Sequence, residues 1–121
     1  MITEDYVSYE VAKLLKDKGF EQHKTKLAYD KKGKLNWSDN LDPFEFSAPT
    51  HQMAMKWLRE MHNIFIIIEP HMYDYMNERN ASYVCSIWVE DNYYENPILT
   101  DFPSYEEAVE AALKYSLENL I

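Results

Sequence analysis

A run of five consecutive apolar residues, Ile64 to Ile68, constrains the fold of this chain more than any other feature. Successive side chains of a strand point to opposite faces, so a strand built from this run is apolar on both faces. Such a strand belongs in the centre of a sheet covered on two sides, or in a sheet packed by a helix on one face and a loop on the other. We therefore expect both faces of this strand to be covered.

Three segments carry apolar side chains at three- and four-residue spacing, which predicts amphipathic helices. The first runs from about residue 8 to residue 18, and Gly19 then provides the left-handed position that ends it. The last begins at Ser104, which forms a capping box with Glu107. The middle helix covers about residues 51–62 and is expected to bury one stripe: Met53, Ala54, Trp57, Leu58 and Met61.

Strand-like segments lie between these helices. Alternating polar and apolar residues on either side of residues 30–33 predict a hairpin, because Asp30 and Gly33 suit the first and last positions of its turn. Pro70 is expected to end the apolar strand or to force a bulge, and residues 73–81 are expected to form a loop. Further strands are expected at residues 82–90, around residues 98–99, and at residues 44–46 unless these form an anchored loop.

The resulting element order is α-β-β-(β)-α-β-β-β-α, in which strands cluster between helices. Such clustering favours an α+β fold, with an antiparallel or mixed sheet of about four to six strands and three helices. The chain has 121 residues, the size of one domain, and no linker, repeat or low-complexity segment divides it. We predict a single α+β domain over residues 1–121.

The composition excludes several classes of protein. Hydrophobic residues make up 46% of the chain, which excludes disorder, and two glycines are too few for a glycine-rich phosphate loop. Cys85 is the only cysteine, so no intramolecular disulfide forms. The apolar runs are far shorter than the roughly 20 residues that cross a bilayer. We expect a cytoplasmic protein with no signal peptide, no cofactor and no association with a membrane.

The charge of the chain is unevenly distributed. The formal net charge is −9, and all of it lies in residues 61–121, which carry two basic side chains against eleven acidic ones. This asymmetry argues against direct nucleic-acid binding and favours either a solvated acidic surface or a basic partner. The five lysines of residues 24–34 are expected to lie on the opposite face from the aromatic side chains beside them and to protect an edge strand.

Two clusters of tyrosine and acidic residues form the most unusual motif of the sequence. Tyrosine is enriched at interfaces, where it buries a large area at a small cost in entropy. We therefore predict an interaction surface, with half-burial of these tyrosines against helices as the alternative. If the flanking strands form a hairpin, the first cluster lies at its tip and the second at its base. The predicted interaction residues are Tyr73, Tyr75, Glu90, Asp91, Tyr93, Tyr94 and Glu95.

No familiar catalytic or metal-binding motif is present in the sequence. His51 and His62 lie roughly 16 Å apart along one helix, so they cannot share a metal ion. Glu69 and His71 point to the same side of a strand about 7 Å apart, as an acid–base pair requires, but Pro70 between them disturbs that geometry. We therefore predict neither a catalytic residue nor a metal ligand.

Three parts of the sequence carry a resemblance to other proteins: Ala12 to Lys16 with Gly19 and Phe20, Ala48 to Thr50 with Lys56 to Glu60, and Tyr105 to Ala108. In these parts the chain resembles small uncharacterised proteins of gut bacteria of the Bacteroides group and of their phages and mobile elements. The resemblance implies such an origin and a shared fold. It implies no activity and no site residue.

These observations favour a non-enzymatic protein-interaction or accessory module of phage or mobile-element origin. One alternative is an inhibitor whose acidic C-terminal half mimics nucleic acid in the basic site of a host defence protein. The carboxylates of Glu90, Asp91 and Glu95 distinguish mimicry from a merely solvated acidic surface. Unlike acidic residues in the first turn of a helix, they are not explained by attraction to the positive end of a helix. Another alternative is a small enzyme that uses Glu69 and His71, which a concave pocket containing His71 would favour.

Overall fold

The computed structural model describes residues 1–22, 25–38, 46–75, 78–89 and 98–121, with the backbone alone at residues 72–75 and 78–81. This part of the chain forms three helices and two three-stranded antiparallel sheets. In chain order, the elements are α1 (Tyr9–Asp17), β1 (Leu27–Tyr29), β2 (Leu35–Trp37), β3 (Phe46–Ala48), α2 (His51–His62), β4 (Ile64–Tyr75), β5 (Glu78–Val89), β6 (Ile98–Phe102) and α3 (Tyr105–Asn119).

The α+β class, the three helices and the order of the elements confirm the sequence prediction. The strands divide into two sheets, β2-β1-β3 and β4-β5-β6, rather than forming one. Helix α1 packs on β3, whereas α2 and α3 pack on the second sheet, and side chains from all three helices and both sheets form one buried core cluster. None of the helices in the described ranges is long and apolar enough to cross a membrane.

Helix α1 ends at Gly19, as the sequence predicts. The Phe20 N–H donates to the carbonyl oxygen of Leu15 at 2.8 Å, and the Gly19 N–H donates to that of Lys16 at 3.1 Å. These two bonds form a Schellman motif, in which the residue after the C-cap is left-handed. Gly19 has φ +97°, a conformation that an L side chain rarely adopts.

One aspartate, Asp30, stabilises the turn of the β1–β2 hairpin. Asp30 Oδ1 accepts the backbone N–H groups of Lys34 at 2.9 Å and Lys32 at 2.8 Å, and Gly33 takes φ +80°. The hydrogen bond from Lys34 is the main reason that the pKa of Asp30 lies below its ordinary value. This turn confirms the predicted roles of Asp30 and Gly33.

The lysines of this hairpin do not all avoid its aromatic side chains. Lys26 Nζ lies 4.7 Å from the centroid of the Trp37 ring, a cation–π contact on a half-exposed indole. Lys26 precedes β1, so the alternation of a strand does not fix the side to which it points. The expected separation of lysine and aromatic side chains is therefore wrong at Lys26.

Helix α2 buries a face that is rotated from the predicted one. Ala54 and Leu58 are buried as expected, but Met53 and Met61 are 53% and 66% exposed. His51, the first residue of the helix, is buried. The spacing of the apolar residues does not reveal that a polar side chain is buried. The buried residues of α2 are His51, Ala54, Met55 and Leu58.

Trp57 is partly buried rather than largely buried. Its ring packs edge-on against Phe20, with centroids 5.6 Å apart, and against His62, with centroids 4.7 Å apart. Phe20 is the last residue of the Schellman motif of α1, so this contact joins the end of α1 to α2. Trp57 packs against the buried core cluster and is partly exposed, so the prediction of a largely buried Trp57 holds in part.

Strands β4 and β5 pair without a break from Ile64 opposite Val89 to Tyr75 opposite Glu78. The hairpin thus continues through residues 73–75 and 78–81, where the sequence predicts a loop. Pro70 pairs in regular register and neither ends β4 nor causes a bulge in it. Because β4 is an edge strand, the missing N–H of Pro70 costs no ladder bond when that position faces away from β5.

The second sheet is covered by helices on its inner face. Helix α3 packs on β4, β5 and β6, and α2 packs on β4. Ile64 and Ile87 point to this face and are buried. Phe65 and Ile67 point the other way, and each side chain is 42% exposed. The expectation that both faces of residues 64–68 are covered is therefore wrong for the outer face.

We predict that Leu58→Ala lowers the free energy of unfolding by about 2–5 kcal/mol, because it leaves a cavity at a fully buried position. Met61→Ala, on the exposed side of the same helix, should change it by less than about 0.5 kcal/mol. Urea unfolding followed by circular dichroism measures both. Equal losses in the two variants would show that α2 buries a different face.

Candidate functional site

One carboxylate joins the three helices. Glu110 lies on α3, and its Oε1 is 2.8 Å from Nε2 of His51, the first residue of α2. The same oxygen accepts the backbone N–H of Ser8, the N-cap of α1, at 2.9 Å. An ionised carboxylate only accepts hydrogen bonds, so the geometry assigns the proton of this contact to His51 Nε2.

The segment before α1 fixes His51 in position. The backbone N–H of His51 donates to the carbonyl oxygen of Asp5 at 2.9 Å, and the Val7 N–H donates to that of Pro49 at 3.1 Å. The buried Tyr29 hydroxyl in turn donates to the carbonyl oxygen of Val7 at 2.6 Å. The first sheet and the start of α2 are thereby tied to the same short segment.

The charge of Glu110 is stabilised by its neighbours. Burial of this carboxyl raises its pKa, but the hydrogen bonds from His51 and Ser8 outweigh burial and bring the pKa below the ordinary value of 4.5. The pKa of the Tyr29 hydroxyl is raised above 10.0 by burial and, secondly, by the negative charge of Glu110. Glu110 is therefore ionised at neutral pH, although its side chain is only 27% exposed.

A pocket of about 200 Å³ opens beside this junction, between residues 3–5, residues 50–52 and residues 105–106. His51 is one of the residues that line the pocket, and its side chain is only 8% exposed. Its Nδ1 has no hydrogen-bond partner among the described residues. Among the described residues, Ser82 Oγ is the one fully buried side-chain N or O atom that lacks a hydrogen-bond partner. His51 Nδ1 also lacks a partner, so it is not fully buried.

A second candidate site lies on the outer face of the β4-β5-β6 sheet. Phe65 is directly opposite Trp88, and Ser86 pairs with Ile67 on one side and with Ile98 on the other. Phe65 and Trp88 therefore form one row across the strands, and Ile67, Ser86 and Ile98 form the next row. Adjacent strands are about 4.8 Å apart, so the side chains within a row are neighbours. We call this group the outer patch: Phe65 (42% exposed), Ile67 (42%), Trp88 (39%) and Ile98 (65%).

The predicted interaction residues fall partly outside the described residues. Tyr73 and Tyr75 lie on β4 near the turn of the hairpin, since Tyr75 pairs with Glu78. Glu90, Asp91, Tyr93, Tyr94 and Glu95 lie outside the described residues, so the interaction surface predicted from them stays a prediction.

Glu69 and His71 occupy the same side of β4, opposite Val84 and Ser82, and both are exposed. The pocket described above is lined by His51 and not by His71. The arrangement that would favour an enzyme built on Glu69 and His71 is therefore not seen at that pocket, and the enzyme alternative stays a prediction.

The sequence analysis missed the pairing of His51 with Glu110. Two signals pointed to it. His51 directly follows the cap Thr50 and so stands where a helix begins, and Glu110 follows Val109, which belongs to the apolar stripe of α3. A carboxylate beside an apolar stripe is buried at a cost unless it finds donors. His51 and the Ser8 N–H are those donors.

Comparison with protein-family models, with curated proteins and with solved structures finds no match to this chain. The resemblance to proteins of the Bacteroides group therefore stays a prediction. Within the described ranges, no group of three or more His, Cys, Asp or Glu side chains is arranged to hold a metal ion.

We predict that Glu110→Gln lowers the free energy of unfolding by about 1 kcal/mol at pH 7, because glutamine keeps an acceptor oxygen but loses the charge that strengthens both bonds. The folded pKa of Glu110 is lowered, so its charge stabilises the fold above the unfolded pKa, and this contribution is lost as the pH falls through the folded pKa. The difference between wild type and variant should thus shrink below about pH 4.5.

Urea unfolding at a series of pH values between 2.5 and 7 measures this difference. Glu118→Gln is the control, because it removes an exposed carboxylate from the same helix and should leave the profile unchanged. A difference between wild type and Glu110→Gln that does not vary with pH would contradict the role of the Glu110 charge.

Proposed function

We propose that this protein is a non-enzymatic interaction module that binds a partner protein through the outer patch. The observation that carries the proposal is the exposure of Phe65, Ile67, Trp88 and Ile98 together on one sheet face. Monomeric proteins rarely leave large contiguous apolar surfaces in water, and those they leave commonly mark binding sites.

The composition of β4 supports this proposal. Residues 64–68 have the pattern of a strand whose two faces are both buried, and the helices cover only the inner one. Removing the apolar surface of the outer patch from water is favourable, with a hydrophobic free energy of roughly 25 cal/mol for each Å² buried. Trp88 and Phe65, opposite each other, form the aromatic centre that binding sites commonly use as an anchor.

The charge of the chain indicates the chemistry of the partner. Residues 61–121, which include all three strands of this sheet, hold the whole net charge of −9. Exposed Glu69 follows the outer patch on β4. A partner segment with apolar side chains flanked by lysine or arginine complements both features, and opposite charges increase its rate of association.

Nucleic-acid mimicry requires a surface of different chemistry from the outer patch. A mimic presents spaced carboxylates, whereas the outer patch presents apolar side chains at its centre. Glu90, Asp91 and Glu95, on which mimicry depends, lie outside the described residues, so mimicry stays an alternative without a structural observation in its favour.

Capture experiments with matched variants test this proposal. The wild-type chain, Ile67→Lys and Met53→Lys are immobilised and exposed to a lysate of the organism that carries the gene. Both substitutions place a lysine at an exposed apolar side chain, but Met53 lies on α2 and not on the outer patch. We expect one protein to be retained by wild type and Met53→Lys and lost by Ile67→Lys. With the purified partner, Ile67→Lys should raise Kd at least about tenfold, and Kd should rise with salt.

Two results would contradict the proposal. One is equal retention of all proteins by the two lysine variants. The other is a wild-type homodimer, seen by sedimentation, that Ile67→Lys converts to a monomer, because a second copy would then cover the outer patch.

A further inference from the structure

We infer that the partner adds an extended strand to β4, along the edge that faces away from β5 at residues 64–69. This inference rests on the proposed function, because it specifies how a segment of the partner covers the outer patch. Phe65 and Ile67 of the outer patch lie on β4, so an added strand would extend the rows of side chains that they form with β5. The partner is then bound by backbone hydrogen bonds as well as by side-chain contacts.

Among the edge strands of the two described sheets, β4 is the longest and the least protected. Strands β2 and β3 have three residues each. Strand β6 has five residues, its pairing with β5 is irregular between Tyr83 and Cys85, and its Asp101 takes φ +68°. Short, charged or distorted edges resist pairing with another chain, whereas long apolar edges favour it. Strand β4 has twelve residues, and residues 64–68 carry no charge.

The edge of β4 is open to water along this apolar stretch. Ile66 and Ile68 lie opposite Ile87 and Cys85 of the central strand, which are fully buried. Ile66 and Ile68 are themselves only partly buried, although they point to the same inner face. Beyond the pairing with β5, residues 64–68 make no backbone hydrogen bond to another described segment. Within the described part of the chain, no other strand therefore pairs with this edge.

Pro70 indicates which groups of β4 face the edge. It pairs with Tyr83 in regular register although it has no N–H to donate, which favours a position that faces away from β5. Every second residue of a strand faces the same way, so Ile66 and Ile68 present their N–H and C=O groups to the edge. Pro70 also limits the stretch that can pair, because it offers no donor to an added strand.

The side chains of β4 define the pattern of the partner segment. Successive side chains of a strand alternate between two faces, so every second residue of the segment meets Phe65 and Ile67 and is apolar. The other residues lie beside Ile66 and Ile68 on the inner face. Exposed Glu69 follows this stretch and favours a lysine or arginine at one end of the segment.

Hydrogen exchange of the ¹⁵N-labelled chain, followed by NMR, tests the inference. The probe is a short peptide with blocked termini, in which valine alternates with threonine between terminal lysines. In the free chain, the amides of Ile66 and Ile68 should exchange faster than those of Phe65 and Ile67, which pair with β5. The peptide should bind with Kd of about 1 mM, and at saturation it should slow exchange at Ile66 and Ile68 at least about tenfold.

Two modified peptides separate backbone pairing from side-chain contact. Each has every second amide N-methylated, so it keeps the side chains but loses the donors of one edge or of the other. Only one edge of the peptide can pair with β4, so the two Kd values should differ at least about tenfold.

Matched variants of the chain locate the peptide. Ile67→Lys should raise the Kd of the unmodified peptide about threefold or more, because it replaces an apolar cross-strand pair and adds a charge of the same sign as the lysines of the peptide. Met53→Lys places the same charge at an exposed side chain of α2 and should leave Kd unchanged.

Equal Kd values for the two modified peptides, or unchanged exchange at Ile66 and Ile68 with the peptide present, would overturn the inference and leave the proposed function intact. An unchanged Kd in Ile67→Lys would contradict both, because the added strand would then not reach the outer patch. A free chain that is a dimer with slow exchange at Ile66 and Ile68 would also overturn the inference, since a second copy would then occupy the edge.

Discussion

The arrangement of the three helices depends on one partly buried carboxylate. Glu110 of α3 accepts hydrogen bonds from the N-cap of α1 and from the first residue of α2 through the same oxygen. The exposed ion pair of Lys114 with Glu10 also joins α3 to α1, but water and salt screen such pairs. The Glu110 contacts lie where water competes less, and removing either partner leaves a polar group that has lost its hydrogen bond.

The two candidate sites follow from this arrangement. His51 is buried at its contact with Glu110, whereas Met53 and Met61 of the same helix face solvent, and His51 also belongs to the lining of the pocket. The same helices, α2 and α3, pack on the inner face of the second sheet. The outer face of that sheet keeps the partly exposed apolar side chains of the outer patch. The pocket lies at the first turns of α2 and α3, and the apolar patch lies on the sheet face away from these helices.

Local features were predictable from the sequence, because the residues that determine them lie within a few positions of one another. The Schellman end of α1 at Gly19 and the turn at Asp30 are of this kind. The His51–Glu110 contact joins residues 59 positions apart, and no spacing rule reveals it. The unbroken pairing at Pro70 depends on β4 being an edge strand, which the order of strands decides and the sequence pattern does not.

A double-mutant cycle tests the role of the junction most directly. The free energy of unfolding is measured by urea for wild type, His51→Ala, Glu110→Ala and the double variant. If the two side chains stabilise the fold through each other, each single variant loses the same hydrogen bond, and the double variant loses less than the sum by about 1.5–3 kcal/mol. Losses that add within about 0.5 kcal/mol would contradict the account, because the two side chains would then act independently.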